Sequence, residues 1–376
     1  PTGGRWSWIL GGYFQRNEID VRIFETAAGF PTDILPQNRR TTTGWFAQSN
    51  LNLTERLELQ TGARYSTYKV TGRGNVLIGN GIPGFPPGGL PVADLAGSHD
   101  DDRVTGKVAL NWRPTDRQLL YAFVAKGYKP GGFNSAVSGF APETVINYEL
   151  GWKATAADNR VRWQLAAFYN DYSDFQFDVL EPTTGQPGIR NVANGTIQGA
   201  EAQVEARFGG LRFDASAAYV DSKLDGLGFV NVRQLPPGTL GAQCPPGVPS
   251  MPPLCFDYGP FAMTTGGGPD LYSPKWTWNA GVEYRLPLAG GALTPRLNYS
   301  WIGSRYTYIG YSPLTDLLAS YGLWSALLGW ERDAWLVQAY GRNLADKDYV
   351  SGQASASQNE FYGAPREYGL RIRYAF

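Results

Sequence analysis

The sequence predicts an all-β fold, an antiparallel transmembrane β-barrel of which about fourteen strands are present. Three observations carry this prediction. Apolar and polar residues alternate over long stretches, short and long connections alternate between those stretches, and the 376 residues combine 47 glycines with 14% aromatic residues. Long strands with one apolar face and one polar face suit a wall between lipid and a wet interior.

Period-two alternation is clearest in “ETVINYELGWK” (143–153), “IQGAEAQVEARF” (197–208), “WTWNAGVEYRL” (276–286) and the ending “EYGLRIRYAF” (367–376). Residues two apart in a strand share one face. The residues expected to face lipid are Trp152, Trp276, Tyr284 and Trp301. The residues expected to face the lumen are Glu149, Glu201, Glu205 and Arg371. The ending is expected to be the strand that closes the barrel, because an unpaired edge in lipid is costly. Its face from Tyr368 to Phe376 is expected to meet lipid.

The connections between these strands differ in length in a regular way. Short ones are expected at 54–55, 113–116, 156–159, 209–210, 287–292 and 332–333. Generally longer ones are expected near 25–40, 71–102, 128–142, 182–187, 225–273, 309–319 and 344–365. Outer-membrane barrels have short periplasmic turns and long external loops, so the long loops are expected outside.

Composition and pattern exclude several other classes. The formal net charge is zero, so no basic surface for nucleic acid is expected. The longest apolar run, “LLYAFVA” (119–125), is far shorter than the roughly 20 residues of a membrane helix. A soluble sandwich or propeller would have shorter strands and a core of Val, Ile and Leu. With a single histidine in the chain, no catalytic set can be assembled convincingly, so no enzymatic activity and no cofactor are expected.

Three short motifs have weaker functional readings. “HDDD” (99–102) contains metal-ligand types, but charged loop residues beside the start of a strand are the simpler interpretation, and no metal site is expected. “GNGIPG” (79–84) matches a nucleotide-binding spacing by chance, because the strand and helix that such a motif requires are not predicted around it. In “AKGYKPGGFN” (125–134), Lys126 is expected to face inward just before an exposed loop.

Several longer motifs together resemble the barrel of TonB-dependent outer-membrane receptors: “YAFVAKGYKPGGFN” (121–134), “NYELGWKAT” (147–155), “FYNDYSDFQ” (168–176), “NVANGTIQGAEAQVEARF” (191–208), “GRNLADKDYVSG” (341–352) and “YGAPREYGLRIRYAF” (362–376). The resemblance spans nearly the whole chain. It implies a monomer in the bacterial outer membrane, surrounded by lipid, that takes up a scarce bulky solute. Ferric siderophores, haem, cobalamin and glycans are such solutes, and a ferric siderophore or similar iron complex is the leading expectation.

In that family a plug domain inside the barrel is pulled by the inner-membrane TonB complex. Neither a plug nor an N-terminal TonB-contact segment is recognisable here, so residues 1–376 are expected to be the C-terminal portion of a barrel domain. Large plugged transporters have about 22 strands, which leaves roughly eight upstream. Two rivals stay open: a plugless passive porin and, less favoured, an outer-membrane barrel enzyme.

Two sets of candidate site residues follow. Cys244 and Cys255 are the only cysteines, lie in the longest loop, and are expected to form a disulfide in an oxidising compartment. Aromatic loop residues are candidates for stacking on a ligand, although packing between loops is the simpler role for any one of them. These candidates are Tyr128, Phe133, Phe140, Tyr258, Phe261, Tyr308, Tyr311, Phe361 and Tyr362.

Overall fold

One large antiparallel sheet accounts for most of the ordered chain. The computed structural model describes residues 4–376 except 28–29, 136–137, 182–184, 186, 237–238, 240–241, 253–254 and 355–357. In this part of the chain the sheet has fifteen strands, and fourteen of them form one path in which sequence neighbours pair. This count confirms the fourteen strands expected from the sequence.

The fourteen strands are numbered here along the chain. They are β1 (Trp6–Asp20), β2 (Gln37–Asn52), β3 (Leu57–Arg73), β4 (Gly97–Trp112), β5 (Gln118–Lys129), β6 (Glu143–Ala156), β7 (Val161–Leu180), β8 (Pro187–Phe208), β9 (Leu211–Leu224), β10 (Trp276–Tyr284), β11 (Gly291–Ile302), β12 (Tyr321–Arg332), β13 (Trp335–Arg342) and β14 (Glu367–Tyr374). The fifteenth, Leu286–Leu288, pairs with β11 only. Within the described residues, β1 and β14 each pair on one side, so the sheet is open there.

Short and long connections alternate along this path, as the sequence predicts. At one end β8 passes to β9 through Gly209 and Gly210, and Gly209 has φ +59°, a conformation that favours glycine. At the other end, 51 residues separate Leu224 from Trp276. We call this second end the long-loop end. Strands β7 and β8 contain 20 and 22 residues, about twice the length that crosses a bilayer, so their hairpin projects beyond it.

Short strands and single-turn helices organise the long connections. Two of these connections share a four-stranded sheet made of Ile23–Ala27, Phe30–Ile34, Asn75–Ile78 and Leu90–Asp94. The other short strand pairs are Gly132–Ser135 with Ser138–Phe140, Gly228–Val230 with Ala262–Thr264, Ala242–Gln243 with Cys255–Phe256, Arg305–Tyr306 with Leu317–Leu318, and Val350–Gln353 with Glu360–Tyr362. Two 3-10 helices, Val232–Gln234 and Gly259–Phe261, lie between Leu224 and Trp276. No helix in the described ranges is long and apolar enough to cross a membrane.

The register of paired strands sorts the side chains onto two faces. Trp278 in β10 lies opposite Trp301 in β11, and their rings stack with centroids 6.5 Å apart. On the other face, the guanidinium of Arg296 donates two hydrogen bonds to Asp214, at 2.8 and 2.9 Å. We call these the apolar face and the polar face.

The register confirms the two sets of faces derived from alternation. Partners directly opposite in an antiparallel pair share a face, so the assignment passes from strand to strand. The apolar face carries Trp152, Trp276, Tyr284 and Trp301. The polar face carries Glu149, Glu201, Glu205 and Arg371.

The inward prediction for Lys126 is wrong. Lys126 lies opposite Ile146 of β6 and Gly106 of β4, in the register of Val124, and therefore belongs to the apolar face. Alternation around Lys126 gives the wrong face because the polar face of β5 carries the aromatic Phe123. Both faces near Lys126 are thus largely apolar, and only the pairing shows which is which.

Candidate functional site

Three connections at the long-loop end pack into one body, which we call the loop cap: the described residues within 225–275, 303–320 and 343–366. One hydrophobic cluster joins Phe229 to Tyr308 and Ile309, and it also contains Val179 from the projecting β7–β8 hairpin. The ring of Phe229 meets that of Tyr308 edge-on, with centroids 5.8 Å apart. Because this cluster draws on separate connections, burial of apolar area holds them together.

A buried polar network also links all three parts of the loop cap. Arg233 forms an ion pair with Asp316, and the two side chains are only 7% and 2% exposed. Nη2 of Arg233 donates to Oε1 of Gln353 at 3.3 Å, and Oγ1 of Thr307 donates to the same atom at 2.7 Å. The guanidinium also lies 4.2 Å from the ring centroid of Tyr308. Buried charges are tolerated when they are paired and hydrogen-bonded in this way.

The loop cap also holds the two cysteines. The structure joins Cys244 and Cys255 as a disulfide, with Cα atoms 4.9 Å apart. Both side chains are buried, and the neighbouring Phe256 and Tyr258 form a second hydrophobic cluster with Val230. The bridge therefore closes a short loop onto the inside of the loop cap.

We expect the Cys244–Cys255 bridge in protein isolated from its native compartment. In the chain-entropy model, closing a loop of this size stabilises the folded loop by up to about 3 kcal/mol. Non-reducing peptide mapping by mass spectrometry should find one linked peptide pair. Two alkylated thiols in protein denatured without reductant would contradict the prediction, and the same sample reduced before alkylation is the control.

The nine candidate aromatics occupy two kinds of environment. Seven are buried or half-buried; they are Tyr128, Phe133, Phe140, Tyr258, Phe261, Tyr308 and Tyr311. Phe133 covers Gly72 and Gly97, where an added Cβ would overlap its ring. Only Phe361 and Tyr362, 58% and 71% exposed, present their rings to solvent. Of the candidates, these two are the best placed to stack on a ligand from outside.

Asp270 is a half-buried carboxylate within the loop cap. Burial raises its pKa, the backbone N–H of Leu271 opposes this by donating a hydrogen bond of 2.9 Å, and the negative charge of Glu143 raises it further. Burial, followed by the charge of Asp270, also raises the pKa of Tyr311 to about 12. Tyr311 stays protonated at neutral pH and donates to the carbonyl oxygen of Pro269 at 2.9 Å.

The raised pKa of Asp270 predicts a pH dependence of the loop cap. The folded form binds the proton more tightly than the unfolded form, so this group's contribution is fully present below its unfolded pKa and is lost as pH rises through its folded pKa. The Asp270→Asn variant should therefore protect the loop cap from proteolysis at neutral pH and resemble the parent at acidic pH. Asp348→Asn, at an exposed site in the loop cap, is the control. Equal protection by both variants would contradict the prediction.

The polar face carries a cavity whose lining includes two carboxylates. A cavity of about 670 Å³ is lined by side chains of several strands, among them Tyr121, Glu149, Lys153, Glu201 and Asn279. The hydroxyl of Tyr121 donates to Oε1 of Glu149 at 2.7 Å. Within the described residues, neither Glu149 nor Glu201 forms an ion pair. Two carboxylates on an accessible wall can accept hydrogen bonds from a basic group.

A group of cations lies beside this cavity on β3 and β4. Arg64 lies opposite Thr105, which is between Arg103 and Lys107 on β4. None of these three cations forms an ion pair with a carboxylate in the part of the chain that is described. Nε of Arg64 donates to Oγ of Ser66 at 2.7 Å, and Nζ of Lys107 lies 4.0 Å from the ring centroid of Phe123. The polar face thus offers separate basic and acidic areas.

The “HDDD” segment is not a loop. Residues 99–102 lie inside β4, so alternation places His99 and Asp101 on the polar face and Asp100 and Asp102 on the other. Nε2 of His99 lies 3.1 Å from Oδ2 of Asp101, which also accepts from the N–H of Gly131 at 3.0 Å. No group of three metal-ligating side chains occurs among the described residues. Four residues that alternate in this way cannot converge on one ion.

Alternation gave no signal for the polar network of the loop cap. Arg233, Thr307, Asp316 and Gln353 lie in irregular or two- to four-residue segments where no periodicity identifies a buried face. A mixture of Gly, Pro and polar residues predicts exposed loops there.

Comparison with known proteins identifies the fold and its setting. Residues 2–344 match the family model described as “TonB dependent receptor-like, beta-barrel”. This chain belongs to the TonB-dependent receptor family. TonB-dependent receptor barrels are proteins of the bacterial outer membrane, so the apolar face meets lipid, the polar face lines the interior, and the long-loop end is extracellular.

Curated receptors are about a quarter identical to this chain over the aligned residues. The pesticin receptor of Yersinia enterocolitica is 26% identical over 339 residues, covering 86% of this chain and 42% of the relative. The ferric-pyoverdine 358 receptor of Pseudomonas putida is 25% identical over 345 residues, covering 89% and 35% respectively. The chain therefore spans less than half the length of these curated relatives.

Solved structures of bacterial uptake receptors show the same fold. The ferric yersiniabactin uptake receptor FyuA from Yersinia pestis superposes with a TM-score of 0.76 at 21% identity, covering all of this chain and 52% of that one. The ferric-catecholate import receptor Fiu from E. coli gives a TM-score of 0.69 at 14% identity, covering 98% and 55%. At these identities the likeness concerns the fold.

Proposed function

We propose that this chain is the barrel part of an outer-membrane receptor that imports a ferric siderophore at the expense of TonB-transmitted energy. The family match over residues 2–344 carries the proposal. Relatives named as receptors for ferric pyoverdine and ferric yersiniabactin support iron chelates as the substrate class.

We also propose that a plug domain, encoded with this barrel domain in one longer protein, occupies the interior and contacts TonB. The interior wall supports this role because several of its charges have no ion-pair partner among the described residues. Glu149 and Glu201 can accept hydrogen bonds from basic groups of such a domain, and Arg64 and Lys107 can pair with its carboxylates. The curated relatives have room for a plug, since this chain covers 42% of one and 35% of another.

The extracellular surface offers a first contact for an aromatic chelate. Phe361 and Tyr362 expose their rings on a short strand of the loop cap. Stacking an aromatic ring on such a side chain contributes about 0.5–1.5 kcal/mol beyond the area that it buries. We propose that these two residues make the initial contact with the ligand.

Uptake in an iron-starved host tests the proposed function. A strain lacking its own siderophore receptors should regain growth on one class of ferric siderophore when it expresses the full protein, and only while TonB is active. TonB-independent uptake would favour a passive porin. Failure with every iron chelate, together with uptake of another solute, would refute the iron assignment.

A matched pair of variants tests the contact residues. Replacing both Phe361 and Tyr362 with alanine should weaken ligand binding by about tenfold, in line with the loss of two stacking contacts. Leu314→Ala, at a loop position that is 96% exposed, should leave binding unchanged. Equal affinity of the double variant and the parent would contradict the role of these rings.

A further inference from the structure

Lys126 is an unpaired cation on the lipid-facing surface. Its side chain is exposed, and it takes part in no hydrogen bond, ion pair or cation–π contact among the described residues. It lies three positions before the extracellular end of β5 at Lys129. Below it in the same register, Val124, Ala122 and Leu120 are all apolar. Lys126 therefore marks the upper limit of the apolar band on this strand, at headgroup level.

A groove runs from Lys126 across the outside of the sheet. It has a volume of about 1040 Å³ and extends over strands β1 to β6. Its floor is made of small residues, including Ala47, Ala63 and Gly106. Larger apolar side chains form its walls, among them Trp8 and Val108. A groove with a floor of small residues on a membrane surface is shaped to take acyl chains.

A second hydrogen-bond donor lies beside Lys126. Tyr148 of β6 is outward-facing and lines the same groove. Lys126 is paired with Ile146, two residues from Tyr148, so the two polar tips are diagonal neighbours on adjacent strands. The ammonium group and the phenol thus present two donors to an anion at the head of the groove.

We propose that this groove is a binding site for a phosphorylated lipid of the outer leaflet. The acyl chains lie in the groove, and the lipid phosphate accepts hydrogen bonds from Nζ of Lys126 and the hydroxyl of Tyr148. A lysine on the lipid face costs little near the interface, and a phosphate at that level offsets the cost by charge pairing. Hydrogen bonds between a cation and an anion are among the stronger ones in proteins.

Native mass spectrometry of the full protein purified from outer membranes tests the site, with lipid A as the probe. Lys126→Gln should lower the retained fraction of bis-phosphorylated lipid A by about tenfold, the effect of losing one charge-assisted hydrogen bond. Lys126→Arg should retain the lipid. Lys129→Gln makes the same charge change on the same strand but in the opposite register, and it should behave like the parent.

Three outcomes would overturn the proposal. They are equal retention of lipid A by Lys126→Gln and the parent, equal retention of phosphorylated and dephosphorylated lipid A by the parent, and displacement of lipid A by inorganic phosphate alone. An unchanged thermal unfolding curve in detergent would show that Lys126→Gln still folds. If that variant does not fold, the comparison of the two lipids on the parent protein decides.

Discussion

Replacing Leu297 with lysine is expected to lower the free energy of unfolding in lipid bilayers by about 2–4 kcal/mol. Leu297 is the middle residue of the apolar register of β11, which runs from Leu293 to Trp301. Its cross-strand partners on that face are Val282 and Ala326, so no carboxylate lies opposite to compensate the charge. The cost arises because lipid offers the ammonium group neither water nor counter-charge.

Ser300→Lys is the matched control for this prediction. Ser300 lies on the same strand in the opposite register and lines the interior cavity, where water or polar groups can solvate a charge. Denaturant-induced unfolding of both variants in vesicles should show a large loss of stability for Leu297→Lys only. If the two variants lost equal stability, the assignment of the two faces on β11 would be wrong.

Removing the carboxylate of Asp316 should open the loop cap without unfolding the barrel. The change takes away the ion-pair partner of Arg233, whose side chain is only 7% exposed. Breaking a buried pair in this way typically costs about 3–5 kcal/mol, because one charge stays buried without its counter-charge. Asp316 also accepts hydrogen bonds from the backbone N–H of Ser312 at 2.8 Å and from Oγ1 of Thr315 at 2.7 Å.

Amide hydrogen exchange measures this opening locally. In Asp316→Ala, amides inside the loop cap, such as that of Thr307, should exchange about two to three orders of magnitude faster. This follows from the energy of the broken pair, since about 1.4 kcal/mol corresponds to a factor of ten. Strand amides of β11 should be unaffected. Glu18→Ala breaks the exposed pair with Arg16 and should leave the loop cap unchanged. Unaltered loop-cap exchange in Asp316→Ala would show that the network does not hold the connections together.

The strands and their faces could be predicted because alternation reports the two solvents of a membrane wall. Alternation stops identifying a strand where its two faces no longer meet different surroundings. Residues 99–102 read as a loop because all four are polar, yet β4 continues there and its outer face exposes Asp100 and Asp102, so no apolar face is left to reveal the strand. The prediction for Lys126 is wrong because the aromatic Phe123 lines the interior near it, under the ammonium group of Lys107.

The contacts within the loop cap could not be predicted from the sequence, for a different reason. Its network depends on contacts between residues far apart in sequence, such as Arg233 with Asp316, and neither residue type nor spacing marks such partners. The disulfide was predictable because two cysteines permit only one pairing within the chain. The exposed rings of Phe361 and Tyr362 could not be told apart from buried loop aromatics, since burial in irregular segments follows no period.

The long reach of the loop-cap network sets an order of events during folding. Arg233 and Gln353 are 120 positions apart, and their hydrogen bond closes a segment that contains strands β10 to β13. Forming a contact between residues so far apart in sequence has a large entropic cost of loop closure until the intervening hairpins have formed. The strands must therefore assemble before the network, and a barrel interrupted at this stage would expose the 225–275 connection to proteases while its membrane wall was already protected.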